Sequence, residues 1–350
     1  MKLHNYKNEF KQLISIVASY KHLPEEAIER DYYIVMMLKN LEKSIYCDYC
    51  VFKGGTSLSK CYPNSIERFS EDIDLTFIPI NDLTEKQYDR ELKKIEEIIT
   101  EGFNILKIDA ERNNKNKSSY VWLENRMNQV KLEIGCSVRP EPFSKKSFKS
   151  YIHEYLEDKK FTEEILMYEL ETVTLNVLNI ERTFLDKVFA VKRHAICKTL
   201  ETKVRHIYDV VKLYRQPEIK SFLVDKEELK KLILLTKNTD SIFFEKRKIH
   251  EQYNLKETYN FNEWKNSFDS KIIKIYESLH KTLLYTDEKQ EFKEVMDVFE
   301  EINLIFEKIG EWKRRFIVYL YVWKVTYLAI FPIFLEYNKI WDYNIYVLEV

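Results

Sequence analysis

Glycine is scarce in this chain: only five of its 350 residues are glycine, and two of these are adjacent, at Gly54-Gly55. Because glycine permits close backbone approach, few crowded ligand loops are expected, and the adjacent pair marks a place that needs small residues. Proline is also uncommon, and five of the seven prolines lie in the first 142 residues. This asymmetry predicts a mixed α/β first part and a mainly helical second part.

Three further absences limit the class of protein. The five cysteines are too few, and odd in number, for a disulfide scaffold, so they suit a reducing compartment. The formal net charge of -1 argues neither for a protein that coats nucleic acid nor for an acidic tail, so any anion site must be local. Met1 to Lys11 lacks an apolar signal core. We therefore expect a cytoplasmic protein.

The patterning predicts an α+β fold. Residues 1–142 are expected to form an α/β domain, a small mixed sheet with helices, and residues 143–310 a mainly helical domain that completes the active site. Pro140-Glu-Pro142 separates the two. Strands are predicted over 46–52, 73–80, 119–124 and 129–138, and later helices over 180–195 and 204–214. Residues 311–350 form an aromatic-rich tail whose role stays open.

One apolar segment lies in that tail. Phe316 to Leu335 contains a single charged residue, Lys324, and is long enough to cross a bilayer. Lys324 and Pro332 suit a packed or peripheral helix at least as well. Both interpretations stay open, and membrane association is the less favoured of the two.

The chemistry is predicted around the glycine pair. A strand that ends at Gly54-Gly55 and leads through Thr56 and Ser57 into a helix would present backbone N–H groups and hydroxyls at a positive helix end, which suits phosphate. Asp72 and Asp74 follow at i and i+2 on a predicted strand, so both carboxylates face one side and can share a divalent cation.

Each half of this pattern has a simpler interpretation. A Gly-Gly turn alone is usually only a turn, and a lone Asp-x-Asp often caps an element or faces solvent. Together, in this order, they indicate metal-assisted nucleotidyl transfer, in which metals stabilise the attacking and leaving oxygens. The apolar surroundings of the aspartates favour this interpretation, because two adjacent carboxylates repel each other unless a cation offsets their charge.

The sequence resembles the AbiEii/AbiGii-type nucleotidyltransferase toxins, which belong to the DNA polymerase β-like nucleotidyltransferase superfamily. The most specific part is Phe52-Lys-Gly-Gly-Thr-Ser-Leu-Ser-Lys60 followed by Arg68-Phe-Ser-Glu-Asp-Ile-Asp-Leu75. The other similar segments, in order along residues 25 to 310, are Ile28-Glu-Arg-Asp-Tyr-Tyr33, Val130-Lys-Leu-Glu-Ile-Gly135, Glu181-Arg-Thr-Phe-Leu-Asp-Lys187 and Arg205-His-Ile-Tyr-Asp209.

The resemblance implies a polymerase β-like fold and a set of site residues. Metal ligands would be Asp72 and Asp74, with Glu133 as a third carboxylate that serves as ligand or general base. Nucleotide-binding residues would be Gly54, Gly55, Thr56, Ser57, Lys60 and Arg205. Lys187 and Asp209 match positions needed for activity, and a lysine ammonium suits a triphosphate or transition-state oxygen.

Two of these assignments have open alternatives. Strand alternation would also place Glu133 on an ordinary solvent face. Asp209 could instead cap its helix or pair with Arg205 at i and i+4. His206 could contact nucleotide or acceptor.

The resemblance further implies a role and its partners. It predicts a Mg²⁺- or Mn²⁺-dependent toxin of a type IV toxin–antitoxin, abortive-infection system, which transfers NMP from an NTP to tRNA or another structured RNA. The antitoxin is expected to form no stable complex with it. The alternatives are a non-catalytic NTP-binding regulatory module and a nucleotidyltransferase for a protein or small-molecule acceptor.

A local excess of basic residues follows Lys187 and predicts where RNA would bind. The predicted basic face comprises Lys192, Arg193, Lys198, Lys203 and Arg205. Such an excess in a near-neutral protein suits a polyanion. A solvated helix face is the alternative.

Overall fold

The computed structural model describes residues 2–79, 81, 83–137, 139–247, 258–282 and 291–309. Seven strands form one mixed sheet. They are β1 (Cys50–Lys53), β2 (Asp72–Phe77), β3 (Asn104–Lys107), β4 (Asn116–Trp122), β5 (Val130–Gly135), β6 (Phe143–Phe148) and β7 (Val173–Leu178). Their order across the sheet is β3-β4-β5-β2-β1-β7-β6.

Helices cover the sheet and form most of the later chain. They are α1 (Lys7–Lys21), α2 (Glu25–Glu42), α3 (Gly54–Cys61), α4 (Glu85–Ile99), α5 (Tyr151–Asp158), α6 (Thr162–Met167), α7 (Ile180–Ile196), α8 (Val204–Tyr214), α9 (Pro217–Val224), α10 (Lys226–Arg247) and α11 (Ser270–Thr282), with α12 over residues 292–309.

Strand β2 lies at the centre of the sheet. It pairs antiparallel with β1 and parallel with β5. Ile73 and Leu75 are buried in the core, and because side chains alternate along a strand, Asp72 and Asp74 lie on the opposite face. The central strand therefore carries apolar packing on one side and carboxylates on the other.

Two hydrophobic clusters fill the molecule. The first lies between the sheet and helices α1, α2, α4 and α5. The second is built from α7 to α12. Helix α3 contributes Cys61 to the first cluster and Leu58 to the second, and Ile66 also packs in the second. The segment from α3 to β2 thus joins the two.

The predicted α+β class is confirmed, as are the helices predicted over 180–195 and 204–214. The strand predicted over 46–52 is wrong in its first half, because residues 45–49 form turns and β1 begins at Cys50. The sheet also continues past residue 142 with β6 and β7. Strand β6 has two lysines and is only partly buried, as is typical of an edge strand. Because it contains no apolar run, its sequence does not indicate a strand. The division into separate domains stays a prediction.

Among the described residues, none of the helices is long and apolar enough to cross a membrane. The apolar segment at residues 316–335 lies outside the described residues, and so does most of the predicted tail.

Candidate active site

The glycine pair lies where strand β1 passes directly into helix α3. Gly54 has a φ of +83°, and a Cβ placed there would lie 2.2 Å from Oδ2 of Asp74. At Gly55 a Cβ would lie 2.6 Å from Oγ of Ser70. Both distances are far inside van der Waals contact, so only glycine fits. The predicted need for small residues is confirmed, and the reason is the approach of the β2 carboxylate at Gly54 and of the Ser70 and Arg68 side chains at Gly55.

Thr56 and Ser57 lie on the first turn of α3 and are buried. The Ser57 hydroxyl donates to the Gly54 carbonyl over 2.9 Å. The Thr56 hydroxyl donates to the carbonyl of Asp72, and its oxygen lies 2.9 Å from Oγ of Ser70, whose hydroxyl can donate to it. Both hydroxyls thus brace the turn, and their contact with a nucleotide stays a prediction.

The two aspartates have charged neighbours on both adjacent strands. Lys53 of β1 lies opposite Asp74, and Glu133 of β5 is its partner on the other side. Partial burial of its carboxyl group, then repulsion from Asp74 and Glu133, raises the pKa of Asp72 to about 6, although Asp72 as a whole residue is exposed at the start of β2. Burial also raises the pKa of Asp74, and Lys53 opposes that rise. The carboxylates resist being charged together.

This donor set fits a hard divalent cation, which takes carboxylate oxygens and would relieve the repulsion. Glu133 lies on the same face, but its carboxylate forms an ion pair with Lys131 over 2.5 Å. Within the part of the chain that the structure describes, no three His, Cys, Asp or Glu side chains converge as a ready-made metal site. Asp72 and Asp74 are therefore the pair to consider, and Glu133 would have to leave Lys131 to join them.

Asp209 lies at the centre of a buried charge cluster that also contains Arg68 and Lys187. Arg68 donates from Nε to Oδ1 over 2.6 Å and from the second terminal nitrogen to Oδ2 over 2.7 Å. Lys187 Nζ lies 2.7 Å from Oδ2. Burial alone would raise the pKa of Asp209, but Arg68 and Lys187 hold it well below its usual range. The alternative partner Arg205 is instead exposed.

His206 lies next to this cluster. Its Nδ1 is 3.4 Å from Nζ of Lys187. Since an ammonium can only donate, Nδ1 accepts this bond and the ring proton resides on Nε2. Burial and then Lys187 lower the pKa of His206 well below its usual value, so the ring is neutral. Because His206 is neutral, it adds no positive charge here. The cations that most affect the pKa of Asp74 are Lys53, Lys187 and Lys203.

Lys60 lies on another face of α3 from the glycine pair. Its Nζ is 2.5 Å from Oδ1 of Asp31, both side chains are almost fully buried, and the ammonium lies over the Tyr151 ring at 4.2 Å. The pair borders a cavity of about 140 Å³ between α2 and α3. The sequence predicts no role for Asp31, because no motif or helical periodicity connects positions 31 and 60. The nucleotide-binding role of Lys60 stays a prediction.

The predicted basic face needs one correction. Lys192 is buried, and its Nζ donates to the Thr258 carbonyl over 2.6 Å. It belongs to the packing of α7 because its position falls on the apolar side of that helix. Lys198, Lys203 and Arg205 are exposed, and Arg193 is half-buried. The charge of Arg205 opposes the rise in the pKa of Asp72, and the charge of Lys203 opposes the rise in the pKa of Asp74. These two exposed cations therefore act electrostatically on the aspartates.

Comparison with known proteins gives one family and several structures. The family model "Nucleotidyl transferase AbiEii toxin, Type IV TA system" matches residues 37–298. MenT4, a nucleotidyltransferase toxin from Mycobacterium tuberculosis, is 17% identical, with 82% of this chain and 98% of that chain covered and a TM-score of 0.47. JHP933 from Helicobacter pylori is 17% identical, with 85% and 99% covered and a TM-score of 0.40. No curated protein matches the chain significantly.

The family match begins in α2 and ends in α12, so it includes the glycine pair, both aspartates and the Asp209 cluster. It spans well over half of the 350 residues. This chain is a nucleotidyltransferase and belongs to the AbiEii toxin family of type IV toxin–antitoxin systems.

Proposed function

We propose that this nucleotidyltransferase transfers NMP from an NTP to a structured RNA, specifically tRNA, in a Mg²⁺-dependent reaction. The observation that supports this most is the close approach of Gly54 to the carboxylate of Asp74. A Cβ on Gly54 would lie 2.2 Å from the Asp74 carboxylate, so a phosphate group at the start of α3 would lie beside the carboxylates that favour a cation.

The proposed reaction is an in-line displacement. A hydroxyl oxygen of the acceptor bonds to the α-phosphorus of the NTP and its proton passes to a general base. The bond from that phosphorus to the oxygen bridging to the β-phosphate breaks, and pyrophosphate leaves. Asp72 and Asp74 would hold Mg²⁺ or Mn²⁺, which when bound stabilises the attacking and leaving oxygens. Glu133 is the proposed third ligand or general base.

Other residues of the chain would hold the nucleotide. The backbone N–H groups at Gly54 and Gly55 would bind phosphate oxygens at the positive end of α3. Lys187 would supply positive charge to the phosphates as negative charge develops on the leaving group. We include Thr56, Ser57, Lys60 and Arg205 in the nucleotide site as predictions from the family resemblance.

The exposed cations favour an RNA acceptor. Lys198, Lys203 and Arg205 lie on the surface, and two of them act electrostatically on the aspartates. A polyanion bound to these cations would have one end near the metal pair. The proposed role, from the family resemblance, is a cytoplasmic toxin in phage defence by abortive infection, whose separately encoded antitoxin forms no stable complex with it.

The test is transfer of a radiolabelled α-phosphate from each of the four NTPs, with Mg²⁺ and total cellular RNA. Wild-type protein is expected to label RNA from at least one NTP and to release pyrophosphate. Asp74→Asn is expected to reduce labelling by at least about a hundredfold, because it removes a proposed metal ligand. Asp48→Asn, which changes an exposed aspartate that forms a surface ion pair with Lys145, is the matched control.

Other outcomes contradict parts of the proposal. Label in protein or a small molecule but not in RNA would favour the other acceptor classes. NTP binding without pyrophosphate release would favour a regulatory module. Full labelling by Asp74→Asn would remove the aspartates from the mechanism.

A further inference from the structure

Arg68 connects the two chemically important parts of the site. Its guanidinium binds both carboxylate oxygens of Asp209. A Cβ on Gly55 would lie 2.8 Å from one of its terminal nitrogens, so Arg68 also packs against the glycine pair. Its remaining terminal nitrogen donates to the Phe69 carbonyl over 2.7 Å, which fixes the plane of the guanidinium. Arg68 thus lies between the glycine pair, where we propose that phosphate binds, and the buried charge cluster that contains Lys187.

The charges in this cluster do not balance. Arg68, Lys187 and Asp209 are each at most 4% exposed, so water contributes little screening. Asp209 is a carboxylate, since its pKa lies well below the usual range. Two cations therefore share one anion, and the neighbouring His206 is neutral. The three residues leave one positive charge in a buried place.

An excess charge in such a place is costly unless an anion reaches it. A simple Lys187–Asp209 pair would be neutral and would serve packing alone. With Arg68 bound to both oxygens of Asp209, the carboxylate is already matched by one cation. The positive charge of the Lys187 ammonium is then not neutralised by Asp209. This ammonium also acts on Asp74, so its charge is available near the aspartates.

We propose that Arg68 is a positioning residue of the nucleotide site: by neutralising Asp209, it leaves the positive charge of Lys187 available to the phosphate chain of the substrate. This inference rests on the proposed function, since it takes an NTP as the ligand. In this arrangement Asp209 is also a positioning residue, because its two oxygens are occupied by Arg68 and Lys187 and it acts on substrate through them.

The test compares Arg68→Gln, Asp209→Asn and the double variant. The probe is inorganic tripolyphosphate with Mg²⁺, measured by calorimetry, because this ligand contains the part common to all NTPs. Arg68→Gln should weaken binding by about 10- to 100-fold, as expected when a buried charge-assisted interaction is lost. The double variant should bind about tenfold more tightly than Arg68→Gln. With a neutral asparagine at position 209, no carboxylate there neutralises the charge of Lys187, which can then act on the ligand.

A matched control comes from a second arginine, whose side chain is 11% exposed. Arg112 binds both oxygens of Glu96 over 2.6 and 2.7 Å, between α4 and the segment before β4. Arg112→Gln removes the same kind of pair but should leave tripolyphosphate affinity unchanged. Unfolding midpoints of all variants are measured alongside. If Arg68→Gln does not fold, Arg68→Lys keeps the charge and should retain most of the affinity.

The outcomes separate the inference from the proposed function. A double variant that binds no better than Arg68→Gln, Arg68→Gln that binds like wild type, or an Arg68→Lys variant that folds but has lost binding would overturn the role of Arg68. So would a wild-type protein that does not bind tripolyphosphate. If the variants behave as expected but no NTP gives pyrophosphate release, the role of Arg68 stands and the proposed reaction fails.

Discussion

Gly54 and Gly102 share a left-handed backbone but have different surroundings, and this difference gives a sharp prediction. Their φ angles are +83° and +84°. A Cβ on Gly102 would lie 3.9 Å from its nearest neighbour, whereas on Gly54 it would lie 2.2 Å from Asp74. Gly102→Ala should lower the free energy of unfolding by about 1–2 kcal/mol through backbone strain alone. Gly54→Ala should lower it further and displace the Asp74 carboxylate.

The measurement is urea unfolding together with Mg²⁺-dependent pyrophosphate release. Gly54→Ala is expected to lose activity by at least about tenfold, on the scale seen when catalytic groups shift by an ångström, while Gly102→Ala keeps it. Equal losses of stability and activity in the two variants would show that the contact with Asp74 has no consequence.

Single residues differ in how far the sequence reveals them. Gly54, Gly55 and the two aspartates could be found because they are adjacent or alternate, and short-range geometry then fixes their placement. Arg68 could be seen as part of a motif, but its bond to Asp209 joins residues 141 positions apart, which only the tertiary packing of the segment before β2 near α8 brings together. The prediction that Lys192 belongs to an exposed basic face is wrong, because charge alone does not show which side of a helix packs inward.

At the scale of elements, the pair Lys60–Asp31 joins α3 to α2. Lys60→Met should lower the free energy of unfolding by about 3 kcal/mol, because it leaves the Asp31 carboxylate buried and unpaired. Adding Asp31→Asn should recover much of this loss, since the amide oxygen can still accept from the Tyr151 N–H, which Asp31 binds over 2.7 Å. Urea unfolding of both single variants and the double variant tests the coupling.

The same variants decide between two roles of Lys60. If the pair only joins the helices, the double variant should label RNA as well as wild type. If Lys60 binds nucleotide, the double variant should regain stability and still lack activity. Additive destabilisation in the double variant would contradict the coupling itself.

Strands were predicted unevenly, and the reason is their place in the sheet. Central β5 alternates strictly between buried and open positions, and β2 does so over its first four residues, so their sequence shows them. Edge strand β3 is exposed at all four positions and has no such signature. Strand β7 reaches the sheet by pairing in parallel with β1, a long-range contact that local periodicity cannot report.

For the whole molecule, net charge is near zero, so RNA binding should depend on a local group of cations. The triple variant Lys198→Ala, Lys203→Ala and Arg205→Ala should label RNA less, and its labelling should depend less steeply on salt, because each lost phosphate contact removes about one released counterion. Labelling is compared across a series of salt concentrations. An unchanged salt dependence would assign these side chains to an ordinary solvated surface.

The control for this triple variant changes charge equally on another surface. Lys86, Lys93 and Lys94 are exposed on α4, and their replacement by alanine should leave RNA labelling close to wild type. A loss as large as that of the first triple variant would show that net charge, and not the place of the cations, controls labelling.

The direct junction of β1 and α3 affects the expected kinetics of nucleotide binding. The strand ends at Lys53 and the helix begins at Gly54, with no connecting loop. Ordering a flexible backbone residue costs roughly 1–2 kcal/mol, and a ligand that closes a mobile loop must supply this. Here the amides that we propose to bind phosphate already belong to a strand and a helix before any ligand arrives. Binding of the phosphate chain is therefore expected to be a single fast step without a slow closing phase, as stopped-flow measurements with tripolyphosphate would show.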